Sequence, residues 1–237
     1  MPGRLYLLPS ALGEVAWSVY LPPMARETAC RLRYFIAENA KTARAELKRL
    51  GHPQPLRDLA IEQLPEPLVP DAIDRLLQPL VDGQDGALMS EAGCPAVADP
   101  GALLVRRAHE LSIPVQPLVG PSSLLLALMA SGFDGQRFAF HGYLPAQEPQ
   151  RSRRIIELEN QSARQQQTEI FIETPYRNEA MLRAVLAAAK PSTRLCVASD
   201  LTLPGETVIS RRIGDWRAAE LPALHRRPSI FLLFSAS

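Results

Sequence analysis

The sequence predicts an α/β protein of two domains, with a mainly parallel sheet in the first and a mixed sheet in the second. Three observations predict this. Short apolar runs alternate with amphipathic runs through the first half, which is the pattern of strands buried on both faces between covering helices. After a break at Gly132 to Gly135 the alternation loosens, and two strand-like runs late in the chain follow one another with no helix between them. Loops rich in glycine and proline stand where the strands end, at the edge where α/β sheets bind ligands. The domains are expected at residues 1–119 and 120–237.

Taken in order, Gly3 to Pro9 is a short apolar run stopped by proline, a buried first strand. A helical stretch over Pro22 to Arg33 precedes a second strand at Tyr34 to Glu38. Ala40 to Leu50 reads as a helix with Gly51 as its stop signal. Leu59 to Leu64 is a third strand, and Asp71 to Val81 a helix capped near Asp71. Gly86 to Met89 is a fourth strand, Ala102 to Leu111 a helix, and Val115 to Val119 a fifth strand. Gly120-Pro121-Ser122-Ser123 opens the apolar helix Leu124 to Ala130, where the two hydroxyls either cap the helix or help its free N–H groups hold a polar or anionic ligand group. Beyond the break, Phe138 to Leu144, Thr168 to Glu173, Arg194 to Ser199, Glu206 to Ile213 and Ser229 to Phe234 read as strands. Pro149 to Gln161 and Tyr176 to Lys190 read as helices, with Pro175 at a first helical position.

Composition narrows the function. With 46% apolar and 22% charged residues the chain is an ordinary globular protein, and no apolar run reaches membrane-spanning length. The N-terminus lacks signal-peptide design, so the expectation is cytoplasmic, with no membrane partner. Three scattered cysteines and four scattered histidines indicate neither a disulfide framework nor a metal site. The net charge of +1 argues against a protein dominated by phosphate binding, although arginines cluster at Arg151, Arg153 and Arg154, at Arg211 and Arg212, and at Arg226 and Arg227.

The densest punctuation lies between Met89 and Gly101, where two glycines, two prolines and two acids follow a buried strand and precede a helix. Gly93 lets the main chain approach a ligand, so a valine there is expected to crowd the pocket, and Asp99 is placed to cap free N–H groups. Ile172 to Asn178 joins an acid, an aromatic and a base at a strand-to-helix junction; Glu173 either caps the helix or serves a site, with Arg177 as its ion-pair partner. Ser199 to Glu206 reads as a hairpin turn. No phosphate loop, dinucleotide fingerprint or serine-nucleophile elbow is present. The residues alone lead to a two-domain α/β protein with a cleft lined by strand-end loops.

Residues 90–101, Ser-Glu-Ala-Gly-Cys-Pro-Ala-Val-Ala-Asp-Pro-Gly, resemble the Ser-Asp-Ala-Gly-Thr-Pro…Ser-Asp-Pro-Gly signature of the tetrapyrrole methylase superfamily. Further matches fall in order at Pro9 to Gly13, Val119 to Ser123, Arg137 to Pro145, Ile172 to Arg177 and Ala198 to Thr207, and the likeness is to the branch that includes the small-subunit ribosomal RNA ribose 2′-O-methyltransferases. The resemblance implies a class III methyltransferase dependent on S-adenosylmethionine, usually a homodimer, with the cofactor folded in a cleft between two α/β domains. Carried over residue by residue, it implies cofactor contacts at Pro9, Ser90, Glu91, Ala92, Gly93, Ser122, Ser123, Ile172, Glu173 and Leu201. A base is needed only where the acceptor loses a proton, as a ribose hydroxyl does, and Glu91, Glu173 and Asp200 are the candidates. Structured RNA or a ribosomal subunit is the expected partner, with Arg151, Arg153 and Arg154 as phosphate contacts. A small-molecule acceptor such as a tetrapyrrole, and a non-catalytic cofactor-binding module, are the alternatives. The substrate side departs from the branch at Ala11 to Glu14, at Glu38 to Lys41, at Ile61 to Gln63, and in lacking a C-terminal extension.

Overall fold

The computed structural model describes residues 1–235 and divides into two compact units, Met1–Ser122 and Ser123–Ser237. In the first unit, strands β1 (Leu5–Leu8), β2 (Tyr34–Ala37), β3 (Ala60–Gln63), β4 (Gly86–Met89) and β5 (Val115–Pro117) form one parallel sheet in the order β3-β2-β4-β1-β5. Helices α1 (Pro23–Arg31), α2 (Ala40–Arg49), α3 (Pro70–Val81) and α4 (Gly101–Glu110) connect the strands. Because side chains alternate along a strand, each central strand feeds two cores. Leu8, Phe35, Ala37, Ala87 and Met89 pack with Ala29 of α1 and Leu47 of α2, while Leu5, Tyr34, Ile36 and Leu88 pack with Leu77 of α3 and Leu104 of α4.

In the second unit, α5 (Ser123–Ser131) precedes a sheet of five strands in the order β6-β7-β10-β8-β9. These are β6 (Phe138–Tyr143), β7 (Thr168–Ile172), β8 (Arg194–Ser199), β9 (Thr207–Arg212) and β10 (Ser229–Phe234). β6 and β7 are parallel; β10 runs antiparallel to both β7 and β8, and β8 and β9 form an antiparallel hairpin. Helices α6 (Gln150–Gln165), α7 (Asn178–Ala188) and α8 (Ile213–Ala218) cover one face, over a core centred on Leu158, Met181, Val185 and Trp216. There the rings of Phe171 and Phe231 stack 5.5 Å apart, and the Trp216 indole donates to Leu195 O at 2.9 Å. Among the described residues no helix is long and apolar enough to cross a membrane.

The elements depart from expectation where local chemistry is ambiguous. The run expected as strand through Ile213 ends at Arg212, and α8 begins at once because Ile213 and Trp216, one helical turn apart, are both buried. Pro175 lies in a turn before α7, whose first residue is Asn178. Asp71 sits in the first turn of α3 but does not cap it; Pro70 is the first helical residue. β3 is an edge strand and largely exposed.

One cap bears on the site. Asn39 follows β2, and its Oδ1 accepts from Lys41 N at 2.9 Å and Thr42 N at 3.2 Å, starting α2 and fixing the end of β2. Replacing Asn39 by alanine is expected to lower unfolding free energy by about 1 kcal/mol, read as a lower urea midpoint at unchanged slope, while Asn39→Asp keeps the midpoint near that of the parent protein.

Candidate functional site

In the first sheet β1 and β4 are neighbours, and the chain leaves β1 toward α1 on one face and β4 toward α4 on the other, so the loops at these two adjacent carboxyl ends diverge. Such a divergence opens a crevice, the usual ligand site of a parallel α/β sheet. Its floor is tied by the main chain. Ser10 N donates to Gly93 O at 2.9 Å, and Gly93 N donates to Ser10 O at 3.0 Å. The Ser10 hydroxyl donates to Ser90 O at 2.8 Å, and the Ser90 hydroxyl to Gly93 O at 3.1 Å. Gly93 holds φ +73°, a region that L side chains rarely adopt, although an added Cβ would meet only ordinary contacts at 3.5 Å. The glycine is therefore set by its backbone conformation; a valine there is strained before any ligand arrives.

The rest of this loop is held by Asp99. Ala96 and Ala98 also take positive φ, costing about 1–2 kcal/mol each. Asp99 accepts from Ala96 N at 2.9 Å and from Gly101 N, the first residue of α4, at 2.7 Å. Charge-assisted bonds of this kind contribute about 1.5–3 kcal/mol each and offset the strain. Beside it, the loop after β5 touches the loop after β1: a Cβ on Gly120 would lie 2.3 Å from Pro9 Cβ, so only glycine permits the approach. Cys94 Sγ reaches Pro121 O at 3.3 Å.

Pro9, Ser90, Glu91, Ala92 and Gly93 thus gather on adjacent strand ends, and Ser122 closes the neighbouring loop after β5. Glu91 is exposed, and its N–H donates to Glu38 Oε2 at 3.1 Å. Glu91 and Ala92 also border a pocket of about 180 Å³ with Ala11 to Glu14, Thr42, Glu46 and Arg49. Burial raises the Glu38 carboxyl above the ordinary glutamate range, against the lowering effect of the Glu91 N–H, and the charges of Asp99 and Glu91 add to the rise. Asp99 is raised by burial as well, opposed by its two backbone donors.

The second unit gathers a separate cluster where β7 and β8 end beside the start of β10. Ile172 pairs with Ile230, and Asp200 N donates to Pro228 O at 3.0 Å. Glu173 is buried; its Oε1 accepts from Thr174 N at 2.7 Å and from Arg177 Nη2 at 2.6 Å, while Oε2 is buried without a partner. Asp200 accepts from Arg227 Nε at 2.6 Å, and the same guanidinium donates to Gly205 O and Thr207 Oγ1. Leu201 is buried next to this pair, and Ser123 opens α5. Glu173 and Asp200 are each committed to an arginine, which leaves Glu91 as the exposed member of the candidate bases.

Reading the sequence missed Glu38, Asn178 and Arg227. Glu38 carried a usable signal, since it follows β2 directly as Ser90 follows β4. Asn178 and Arg227 carried none: the Asn178 amide donates to Arg227 O at 2.6 Å across 49 positions, and its own Oδ1 is buried unpaired. The expected phosphate contacts on α6 are differently placed. Arg151 pairs with Glu148, and Arg154 pairs with Glu157 and reaches His141 Nδ1, so only Arg153 stands exposed.

Comparison with known proteins agrees with this fold. The family model for Tetrapyrrole (Corrin/Porphyrin) Methylases matches residues 23–216. The ribosomal RNA small subunit methyltransferase I of Xylella fastidiosa is 35% identical over 209 residues, covering 88% of this chain and 72% of that protein. The protein of the same name from Neisseria meningitidis serogroup B is 36% identical over 138 residues, 58% of this chain and 46% of its own, so the chain matches less than half of that relative's length. Among solved structures, a uroporphyrin-III-C-methyltransferase from Thermus thermophilus superposes with a TM-score of 0.56 at 18% identity, covering 99% of this chain and 93% of that one, a likeness of fold.

The raised Glu38 carboxyl makes a prediction with a definite sign. A carboxyl whose folded value lies above its unfolded value holds its proton more tightly when folded, so it costs stability at pH above that folded value. Glu38→Gln removes this cost while leaving an oxygen for the Glu91 N–H. Thermal melts should show a higher Tm for the variant at pH 7.5, with the gain shrinking as pH falls through the raised value and absent below the ordinary glutamate range. An equal Tm at both ends would contradict the assignment.

Proposed function

The chain belongs to the tetrapyrrole (corrin/porphyrin) methylase family, and from that premise we propose that it is an S-adenosylmethionine-dependent methyltransferase acting on a ribose 2′-hydroxyl of small-subunit ribosomal RNA. The observation that carries the reading is the tied crevice at the ends of β1 and β4, built from the residues to which the resemblance assigns the cofactor. The acceptor class rests on the names of the relatives at 35% and 36% identity. A homodimer and a cytoplasmic location belong to the same reading and rest on the resemblance.

The residues present fit the cofactor. Its adenine, ribose and ammonium groups carry donors, and the crevice of the first unit offers small side chains, main chain and the exposed Glu91 carboxylate. Pro9, Ser90, Glu91, Ala92, Gly93 and Ser122, at the crevice of the first unit, are the residues we assign to hold it; Ser123, Ile172, Glu173 and Leu201 stand as what the resemblance implies. When bound, the cofactor supplies a methyl group already activated on a sulfonium. The protein's part is then geometric: backbone and small side chains position ligand and acceptor, and alignment of this kind can lower a barrier by roughly 7–11 kcal/mol. The 2′-hydroxyl proton passes to a carboxylate, and we assign that role to Glu91, whose side chain is exposed at the crevice while Glu173 and Asp200 face arginines.

Methyl transfer tests the reading directly. Protein incubated with methyl-tritiated S-adenosylmethionine and small ribosomal subunits from cells lacking it is expected to label the RNA, and nuclease digestion should release the label as a 2′-O-methylnucleoside. Glu91→Gln is expected to lower kcat by about 100-fold or more. Label in a tetrapyrrole fraction would move the acceptor to a small molecule. Tight cofactor binding with label in no fraction would leave a non-catalytic binding module.

A further inference from the structure

We propose that Tyr176, His225 and Arg226 form a platform on which one unstacked nucleobase of an RNA strand stacks, with its phosphate held by the Arg226 guanidinium; this rests on the ribosomal RNA reading above. Tyr176 leaves 68% of its surface exposed in the loop that leads from β7 to α7, three residues after Glu173. The Arg226 guanidinium lies over its ring, 5.7 Å from the centroid, and the exposed His225 ring meets it edge-on at 6.0 Å and 69°.

The arrangement is built in advance. Glu173 fixes the loop from within by accepting from Thr174 N and from Arg177. Two bonds then join the Tyr176 loop to the segment before β10: Arg226 N donates to Pro175 O at 3.0 Å, and the Asn178 amide donates to Arg227 O at 2.6 Å. Arg226 holds φ +62°, an unfavourable conformation for a side chain with a Cβ, kept where it aims the guanidinium at the ring. Its neighbour Arg227 turns the other way, committed to Asp200, Gly205 and Thr207.

An exposed aromatic ring with an arginine plane beside it matches how proteins read unpaired RNA, by stacking splayed bases on aromatic side chains and guanidinium groups. The Arg226 cation at the rim suits the phosphate that comes with the base. The platform is one ring wide, the size of a nucleobase; a macrocycle of four pyrroles would overhang it. The corner also gives a role to the aromatic at position 176 and to Arg226, which the cofactor set leaves unused.

The test is fluorescence anisotropy with a labelled single-stranded oligoribonucleotide, without cofactor, over a salt series. Tyr176→Ala should weaken binding about 10-fold or more, the size of one lost stacking contact, while Tyr176→Phe stays within about twofold. Arg226→Ala should lower the slope of log affinity against log salt by about one. Cofactor affinity of Tyr176→Ala, measured by calorimetry, should match that of the parent protein. Equal RNA binding by Tyr176→Ala overturns the platform, as does absence of RNA binding by the parent protein or displacement of the RNA by a porphyrin. Methyl transfer to RNA that persists unchanged in Tyr176→Ala would sink the platform and leave the enzyme reading intact. RNA binding that depends on Tyr176 without methyl transfer would do the reverse.

Discussion

The ligand edge of the first unit depends on the paired main-chain bonds between Ser10 and Gly93. β1 and β4 are hydrogen-bonded neighbours, yet the chain leaves them in opposite directions, so without a tie their loops would part and the crevice would lose its floor. The two bonds extend the β1–β4 pairing past the end of the regular strands. They also dictate the residue types around them: a glycine where φ is positive, a serine at position 10 to satisfy Ser90 O, and a serine at position 90 to satisfy Gly93 O. Small side chains at this edge follow from these close main-chain contacts.

Charge is handled in opposite ways in the two units. At the first crevice Glu38 and Asp99 receive backbone N–H donors and no basic side chain, and burial raises both above the ordinary carboxylate range. In the second cluster each acid is locked to an arginine, Glu173 to Arg177 and Asp200 to Arg227, so those carboxylates serve to hold loops. At the first crevice the carboxyls hold loops through backbone donors, whereas the ion pairs give rigidity at the second. Buried polar atoms without partners, at Glu173 and Asn178, lie in this second cluster.

Much of the fold was legible because buried parallel strands are unbroken apolar runs: Tyr34–Ala37 and Gly86–Met89 stand out from the charged helices around them. The antiparallel hairpin of β8 and β9 was legible from the Pro204-Gly205 turn between them. α8 was not, since it abuts β9 with no breaker and its two buried residues also fit a strand's end. Pro175 misled because proline suits a turn as well as a first helical turn. Of the site, the loop from Ser90 to Gly101 was visible through its glycines and prolines, and the Glu173–Arg177 pair through its spacing. Glu38 meets Glu91 across 53 positions, and Arg227 meets Asp200 across 27, contacts that only folding creates. Asn39 read as a departure from the family pattern; its side chain has the local task of starting α2.

The central claim is that the tied crevice at β1 and β4 is a cofactor site, and calorimetric titration with S-adenosylmethionine tests it most directly when the parent protein is compared with Gly120→Ala. The added methyl would collide with Pro9 at 2.3 Å and push apart the loops after β1 and β5. The account predicts one molecule bound per chain of the parent protein and affinity lowered at least about tenfold in the variant, the change that a loss of about 1.4 kcal/mol produces, with the variant's circular dichroism unchanged. No heat with the parent protein, or equal affinity in a folded variant, would contradict it.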